Sequence, residues 1–296
     1  QTVKTWLSLT EARQQEDYAR TNVVLIGSTT RQVRLRYELG IRPALDLRLA
    51  EANLATAEAR VEQWHGAREQ ARRQLEVLLG RYPGGRLVEQ TTLPELLPMV
   101  PVGLPSDLLT RRPDLHAART RLLASDARIV QAQAELHPKI SLTASGGTSS
   151  DELENLMNNN FLIWSLGANL VQPLFSGGRL RANVKLAKAQ AAESVMRYRS
   201  VVLGAFSEVE SALATNGAYR EREARLASAE KKARGALRLA ESRYEHGVES
   251  FLAVLDAQRR LIETQSQRVA VRRMRLENRV NLHLALGGDF EREGTQ

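Results

Sequence analysis

The chain has 296 residues, a formal net charge of +8, 5% aromatic residues, 9 prolines and no cysteine. The lack of cysteine excludes disulfides, thiolate metal sites and a cysteine nucleophile, and the abundance of Ala, Leu, Arg and Glu is typical of long helices. A basic balance can indicate binding to nucleic acid or anionic lipid, but Arg alternates with Glu along helical faces, which favours a solvated surface. No apolar run approaches the ~18 residues that a membrane-spanning helix needs.

Residues 3–39 are predicted to form the first helix, and the β-branched stretch 23–28, Val-Val-Leu-Ile-Gly-Ser, is its weakest part. Gly40 then marks a turn, because glycine accepts the left-handed conformation that ends many helices. A second helix begins near Pro43, which is acceptable in a first turn, and stops at Gly80. One heptad line of this helix, with Arg68 as its exception, carries Leu47, Leu54, Val61 and Leu75.

Residues 81–105 are predicted to be an extended linker on the surface, because four of them from 94 onwards are prolines that remove donors and disfavour helix. Ser106 is a candidate N-cap for a short helix. Pro113 lies in the first turn of a further helix, which we expect to run to about His137.

The hydrophobic period then changes from helical to alternating, which predicts two strands of roughly ten residues each. Their apolar positions are Ile140, Leu142 and Ala144 in the first strand and Leu166, Ala168 and Leu170 in the second. Two isolated strands are marginal in water. The pattern leaves two interpretations open: a small solvent-facing hairpin, or part of a membrane barrel, which must close so that no edge faces lipid.

A very long helix is predicted from Leu180 to about His246, on the order of 100 Å at the helical rise per residue. No globular core is that wide, so this helix must pack along other long helices. The last helix, 250–286, has apolar residues at steps of seven, which indicates a left-handed coiled seam. These residues are Leu255, Ile262, Val269 and Leu276.

Two stretches of the chain match each other at an offset of 207 residues. Arg36-Tyr37-Glu38 and Gly40 recur as Arg243-Tyr244-Glu245 and Gly247, and each copy then runs through a helix to a second glycine. We interpret this as an internal duplication of a helical hairpin that turns at its glycine. Coincidence between two Ala- and Arg-rich helices is the alternative, although the spacing of both end signals is kept.

Four segments together resemble the TolC-like outer membrane factors, in particular their efflux-pump lipoprotein branch. They are Gly-Leu-Pro-Ser-Asp-Leu-Leu-Thr-Arg-Arg-Pro-Asp-Leu at 103–115, Pro-Lys-Ile-Ser-Leu at 138–142, Gln-Pro-Leu-Phe-Ser-Gly-Gly-Arg at 172–179, and the tip stretch 243–257. The first resembles the linker motif of that branch, the next two a barrel hairpin, and the last the periplasmic helix tip. The resemblance covers essentially the whole chain.

The resemblance implies a mainly α fold with a β-hairpin contribution: coiled-coil staves of an α-barrel and strands of a transmembrane β-barrel, assembled as a homotrimer. Family protomers contribute two strand pairs, whereas this sequence shows one. We therefore expect a chain that lacks the N-terminal part of the first repeat, including the signal peptide and the lipid-bearing cysteine.

Five regions follow from this interpretation. They are a helical hairpin of the first repeat at 1–80 with its tip near 40, a linker with equatorial helices at 81–137, a transmembrane β-hairpin at 138–178, the long hairpin of the second repeat at 179–287 with its tip near 247, and a tail at 288–296.

In the family, inward-facing side chains of the tip helix narrow the periplasmic end, and the corresponding positions here are Leu252 and Asp256. They lie at i and i+4, on one helical face. Under threefold symmetry they form an apolar ring and an acidic ring that attracts cations. The alternative is that Leu252 is a seam residue and Asp256 a solvated surface charge.

A second set of positions, here called the tip lock, corresponds to residues that hold the family tip closed. Asp46 matches the carboxylate of this lock and Tyr244 matches one of its partners. The basic partner of some family members falls on Glu249, so that part does not carry over. Our hypothesis is that Arg42 and Glu249 take the reversed roles.

The two turns resemble the surface that meets the periplasmic adaptor, through Gly40, Ile41, Gly247 and Val248. The resemblance thus predicts a passive outer membrane exit duct with a large periplasmic part, which works with an adaptor (membrane fusion) protein and an inner membrane pump in drug or metal efflux and contacts outer membrane lipid. No enzyme activity and no cofactor are expected, and the five histidines lack metal-ligand spacing.

Two other functions remain open at this point. One is a soluble periplasmic scaffold or adaptor protein, which would also be built of long helical hairpins. The other is a helical nucleic-acid binder, which would also be basic, although the sequence contains no motif that reads a nucleic-acid groove.

Overall fold

A computed structural model of the chain describes residues 1–88, 90–95, 111–149, 151 and 162–288. The described elements are α1 (Thr2–Glu38), α2 (Ala44–Leu78), α3 (Pro113–Ala134), β1 (Lys139–Thr148), β2 (Leu162–Val171), α4 (Arg179–Glu245) and α5 (Phe251–Ala285). They belong to two compact units, one made of residues 1–103 and 207–296 and the other of residues 104–206. Among these helices, none is both long and apolar enough to cross a bilayer. The predicted cap at Ser106 lies outside the described residues.

The first helix runs without a break through the stretch 23–28 that the sequence marks as weak. Its hydroxyl residues satisfy themselves within the helix: Ser28 Oγ donates to the carbonyl of Leu25 at 2.7 Å, and Thr30 Oγ1 donates to that of Ile26 at 2.9 Å. Ile26 is buried, so tertiary packing adds to these local bonds. Packing therefore outweighs the low helix propensity of the β-branched residues.

Both hairpins turn at a glycine with the same backbone geometry. Gly40 has φ +70° and Gly247 has φ +75°. One residue further, the N–H of Ile41 donates to the carbonyl of Arg36 at 2.8 Å, and the N–H of Val248 donates to that of Arg243 at 2.9 Å. These are the bonds of a Schellman motif, which closes a helix with a left-handed residue.

The repeat also holds for the helix bounds. Each turn is followed by an extended residue, Pro43 with ψ 155° and Ser250 with ψ 154°, and then by a helix of 35 residues. The first helix of each hairpin ends at Glu38 and at Glu245, which is the offset of 207 seen in the sequence. The described geometry therefore favours duplication over coincidence.

The buried line of α2 is not the predicted one. The fully buried residues Ala50, Ala57 and Ala71 lie three positions after Leu47, Leu54 and Arg68, and of the predicted line only Leu75 is fully buried. Small residues at the seam let α1 and α2 approach closely, so the larger leucines lie at its margin. In α5 the prediction holds in part, because Val269 and Leu276 are buried while Leu255 and Ile262 are half-buried.

Arg68, the exception in the predicted heptad line, pairs with a buried carboxylate on α1. Its Nη1 lies 3.0 Å from Oε2 of Glu16, which is 1% exposed and which also binds Arg20 at 2.6 Å. Burial raises the pKa of Glu16, but the hydrogen bonds and charges of Arg20 and Arg68 outweigh it, so the pKa lies below its usual value. The carboxylate stays ionised and joins the two helices.

The linker after α2 has no helix or strand in its described residues, 81–88 and 90–95, and these residues are not all at the surface. Leu93 is buried with Leu7, Val269 and Leu276, which belong to α1 and α5. Pro94 accepts a hydrogen bond from Arg272 at 3.1 Å. The linker therefore crosses the first unit as a strap and fixes α1 against α5.

The strap begins at a single carboxylate near the end of α2. Glu76 is 3% exposed and accepts the backbone N–H groups of Gly85, Arg86 and Leu87 at 2.8, 2.8 and 3.1 Å. These bonds, that of Gly85 foremost, keep the pKa of Glu76 below its usual value although burial opposes them.

The second unit contains the predicted strand pair. β1 and β2 are antiparallel, with Ile140 opposite Leu170 and Leu142 opposite Ala168. Apolar residues thus share one face, as the alternation predicts, while both faces are exposed in the described chain. Helix α3 begins with Pro113, as expected, and ends at Ala134.

We predict that Glu76→Gln loosens the strap, because an amide oxygen is a weaker acceptor for the three backbone donors. Trypsin should cleave at Arg86 faster, and thermal stability should fall. Glu58→Gln, an exposed glutamate of the same helix, is the matched control.

The pH dependence gives a second check on this carboxylate. A carboxylate whose folded pKa is depressed stabilises the fold above its unfolded pKa and loses that contribution as pH falls through the folded value. The stability difference between wild type and Glu76→Gln should therefore be full at neutral pH and shrink below about pH 4.5. A difference that does not change with pH would contradict the assignment.

Candidate functional site

The two tips meet around Tyr244, in the last turn of α4. Its side chain is 4% exposed, and its ring centroid lies 5.3 Å from that of Phe251 at an angle of 50°. Such a tilted aromatic pair contributes about 1 kcal/mol beyond its buried area. The surrounding cluster draws on both hairpins and contains Val33, Ala50, Leu237, Val254, Ala257 and Leu261.

Arg42, in the turn of the first hairpin, grips the end of α4. Its Nη2 donates to the carbonyl of Tyr244 at 2.9 Å, and its guanidinium carbon lies 4.4 Å from the centre of the Tyr244 ring. Arg36 approaches the same carbonyl at 3.5 Å and the same ring at 5.7 Å. Both cations stabilise the negative end of the helix dipole and the face of the ring.

Asp46 completes the contact from the first turn of α2. The hydroxyl of Tyr244 donates to Oδ2 of Asp46 at 3.4 Å, a long hydrogen bond. Burial, and next the charge of Asp46, raises the pKa of the Tyr244 hydroxyl above its usual value. The hydroxyl therefore keeps its proton and remains a donor throughout the neutral range.

Of the four tip-lock residues, the structure brings together Asp46, Tyr244 and Arg42. It places the fourth elsewhere: Oε2 of Glu249 lies 3.9 Å from Nε of Arg243. The hypothesis that Arg42 pairs with Glu249 therefore does not describe this structure. The physical reason is that Nη2 of Arg42 donates to the Tyr244 carbonyl and the guanidinium lies against the Tyr244 ring, whereas Glu249 lies beside a cation of its own hairpin.

The two candidate gate residues lie on the first turns of α5. Leu252 is 59% exposed. Asp256 carries two cations of its own helix, with Arg259 Nη2 and Arg260 Nε each 2.7 Å from its carboxylate. Their hydrogen bonds, that of Arg260 first, lower the pKa of Asp256. The carboxylate is therefore ionised but locally compensated, which differs from the bare acidic ring that the sequence suggests.

The predicted adaptor-contact residues form an apolar end to the two hairpins. Ile41 is 64% exposed and Val248 is 65% exposed, each directly after a turn glycine. Leu39 and Leu45 beside the first turn are similarly exposed. A Cβ added at Gly40 would meet no atom within 4 Å, so its positive φ, and not crowding, is what calls for glycine there.

Two residues of the site were missed from the sequence, Arg36 and Phe251. A comparison of the two copies gives the signal that could have found the second. The copies differ at seven of the nine positions 39–47. At three of these seven, Arg42, Ala44 and Asp46 of the first copy correspond to Glu249, Phe251 and Ala253 of the second. Two of the three differences supply the contacts to Tyr244, and Phe251 packs on its ring. Arg36 is common to both copies, so that comparison does not single it out.

A comparison with protein families decides the class of the chain. The profile of the family described as outer membrane efflux protein matches residues 104–288, more than half of the sequence. The chain belongs to the outer membrane efflux protein family.

Individual members of the outer membrane efflux protein family are similar over most of the chain. The toluene efflux pump outer membrane protein TtgF of Pseudomonas putida is 34% identical over 293 residues, 98% of this chain and 61% of the relative. Outer membrane protein OprJ of Pseudomonas aeruginosa is 37% identical over 258 residues, 86% of this chain and 54% of the relative. The solved outer-membrane channel OprN has a TM-score of 0.87 at 30% identity and covers 97% of this chain and 65% of its own.

The chain thus spans between about half and two thirds of the length of these efflux family relatives. The similarity establishes the family and the fold.

We predict that Tyr244 ionises at higher pH than the ordinary value of 10.0. The measurement is the tyrosinate absorbance of wild type minus that of Tyr244→Phe, followed from pH 8 to pH 13. The difference curve should have its midpoint above 10.0, because burial and the charge of Asp46 disfavour the phenolate. When the same difference is measured in the Asp46→Asn background, the midpoint should be lower. A midpoint that is the same with and without the Asp46 charge would contradict the contact.

Proposed function

We propose that the chain is part of a passive exit duct in the outer membrane, the terminal component of a tripartite drug or metal efflux system. The observation that carries the proposal is the pair of matched, glycine-capped hairpins whose tips join through Tyr244, in a chain of the outer membrane efflux protein family. Such hairpins suit the wall of a conduit because each presents a long seam to its neighbours.

The proposed assembly is a homotrimer, and the strand pair supports it. Ile140, Trp164 and Leu166 are 69–75% exposed in the described chain, and two strands leave both edges unpaired. Edges of this kind are not tolerated in lipid unless further strands close them into a barrel. Further strands of the assembly supply that closure, with the apolar face towards outer membrane lipid.

The proposed partners at the other end are a periplasmic adaptor (membrane fusion) protein and, through it, an inner membrane pump. The apolar residues Ile41 and Val248 beside the two turn glycines are the proposed contact with the adaptor. Their backbone is rigid, because each turn is closed by two hydrogen bonds, so the surface is preformed.

In the proposed gating mechanism, the tip lock holds α4 and α5 against the first hairpin. Arg42 and Asp46 hold Tyr244, and Tyr244 holds Phe251 at the start of α5. This fixes Leu252, the next residue, which forms the apolar constriction. Release of Tyr244 frees the first turn of α5 and widens the opening.

The duct carries out no reaction, and the pump selects the cargo; the name of the relative TtgF points to small organic molecules.

We predict that Asp46→Ala and Arg42→Met raise the single-channel conductance of the purified protein in planar lipid bilayers. Both changes loosen Tyr244 and so relax the constriction. Leu252→Ala should also raise conductance, because it shortens the constricting side chain itself. Glu58→Ala, an exposed α2 residue away from the tip, is the control and should leave conductance unchanged.

The same preparation tests the duct against the soluble scaffold. A duct requires detergent for extraction and has the mass of a trimer in detergent, whereas a scaffold is extracted in buffer and conducts no ions. Conductance that is identical in wild type, Asp46→Ala and Arg42→Met would overturn the gating mechanism while leaving the duct in place.

A further inference from the structure

The described part of the first unit contains a groove that borders the two gate residues and extends beyond them along α5. Two adjoining cavities of about 370 and 320 Å³ lie between the first hairpin and α5. Ala57, Arg60, Arg259 and Ile262 line both cavities, so the two adjoin, and together they are here called the α5 groove. The smaller cavity is lined by Leu252 and Asp256. The volume of each cavity is in the range of small-molecule sites.

The larger cavity of the groove has two aromatic side chains and one isoleucine among its mostly polar lining. Trp64 and Tyr18 line it from α2 and α1, and Ile262 lines it from α5. All three side chains are half-buried. Arg60 and Trp64 lie at i and i+4, so they share one face of α2. A planar ring can rest against Trp64 while a charged group attached to it reaches Arg60.

The free charge in the groove is positive. Arg60 makes no hydrogen bond or ion pair within the described residues. Arg259 and Arg260 both bind Asp256, so that carboxylate is more than compensated. Glu263 is the other acid that lines the groove, and it accepts a hydrogen bond from Gln267 at 3.1 Å. The carboxylate of Asp256 is therefore not available to a cation that enters the groove.

A buried acceptor without a partner lies in the same lining. Gln265 is 8% exposed, and its Oε1 has no hydrogen-bond partner in the described chain, while its Nε2 approaches Glu230 at 3.5 Å. Leaving a buried amide oxygen unsatisfied is unfavourable. An anion has no proton to donate to this oxygen, so Gln265 takes no part in the anion site proposed below.

We propose that the α5 groove is a binding site for a small planar organic anion, whose ring lies against Trp64 and whose acid group pairs with Arg60. The site is separate from the tip lock. Its occupancy depends on the fold of the first unit and not on conduction, so the site and the proposed duct stand or fall separately.

The test compares three nitroaromatic probes of matched size on the detergent-solubilised full chain: 4-nitrobenzenesulfonate, 4-nitrobenzylammonium and neutral 4-nitrobenzyl alcohol. Nitroaromatic rings quench tryptophan on contact, and the quenching that is lost in Trp64→Phe reports on the groove. We expect saturable quenching of Trp64 by the sulfonate, weaker quenching by the alcohol and the weakest by the ammonium.

Two charge variants of opposite sign make the assignment specific. Arg60→Gln should weaken sulfonate binding by about ten-fold, because it removes one charge-assisted contact. Glu263→Gln should strengthen it, because it removes the remaining acid. Arg48→Gln, which alters an exposed arginine of the same helix that pairs with Glu51, is the matched control and should change nothing.

Equal affinity for the ammonium and the sulfonate would overturn the proposal, as would an Arg60→Gln variant that binds the sulfonate like wild type. Circular dichroism confirms that each variant is folded. If Arg60→Gln is not folded, Arg60→Lys and Glu263→Gln decide: the first should retain part of the affinity and the second should raise it.

Discussion

The contact on which the first unit depends is the grip of Arg42 on the carboxyl end of α4. A helix end leaves carbonyl groups unsatisfied, and here one of them, that of Tyr244, is satisfied by a residue of the other hairpin. The hydrogen bond from Arg42 therefore both caps α4 and joins the two hairpins. The grip has a cost, since Nε of Arg42 is buried without a partner in the described chain. The contact therefore stabilises the tip less than a fully hydrogen-bonded guanidinium would.

The sequence predicted the helices and strands well because their signals are local. Glycine caps, prolines and alternation set the element bounds, and the duplication fixes each bound twice. The seam was harder to predict. Leucines at steps of seven suggested one line of α2, but the buried line consists of alanines, because the distance between α1 and α2 is set by the smallest side chains at the interface.

The candidate site, too, could be predicted from the sequence only in part. The pairing of Asp46 with Tyr244 followed from the family resemblance and is present in the geometry. The partner of Arg42 could not be deduced, because a guanidinium can choose a carboxylate, a carbonyl or an aromatic ring, and only the fold decides which is nearest. The pairing of Asp256 with Arg259 and Arg260 could be predicted from the spacing, since both arginines lie about one helical turn after Asp256. Its effect on the charge of the α5 groove could not be predicted, because only the fold shows that the unpaired Arg60 lies in the same lining.

The strap at Leu93 and the clamp at Tyr244 hold α5 at two distant places. Between them, amides make two of the contacts of the helix with α1 and α2: Gln15 donates to the carbonyl of Ser266, and Asn53 donates to Gln258. Leu276, beside the strap, is about 37 Å along the helix from Phe251 at the clamp. The helix therefore has the geometry of a lever: with Leu93 as the fulcrum, a rotation of about 10° would move the Phe251 end by about 6 Å.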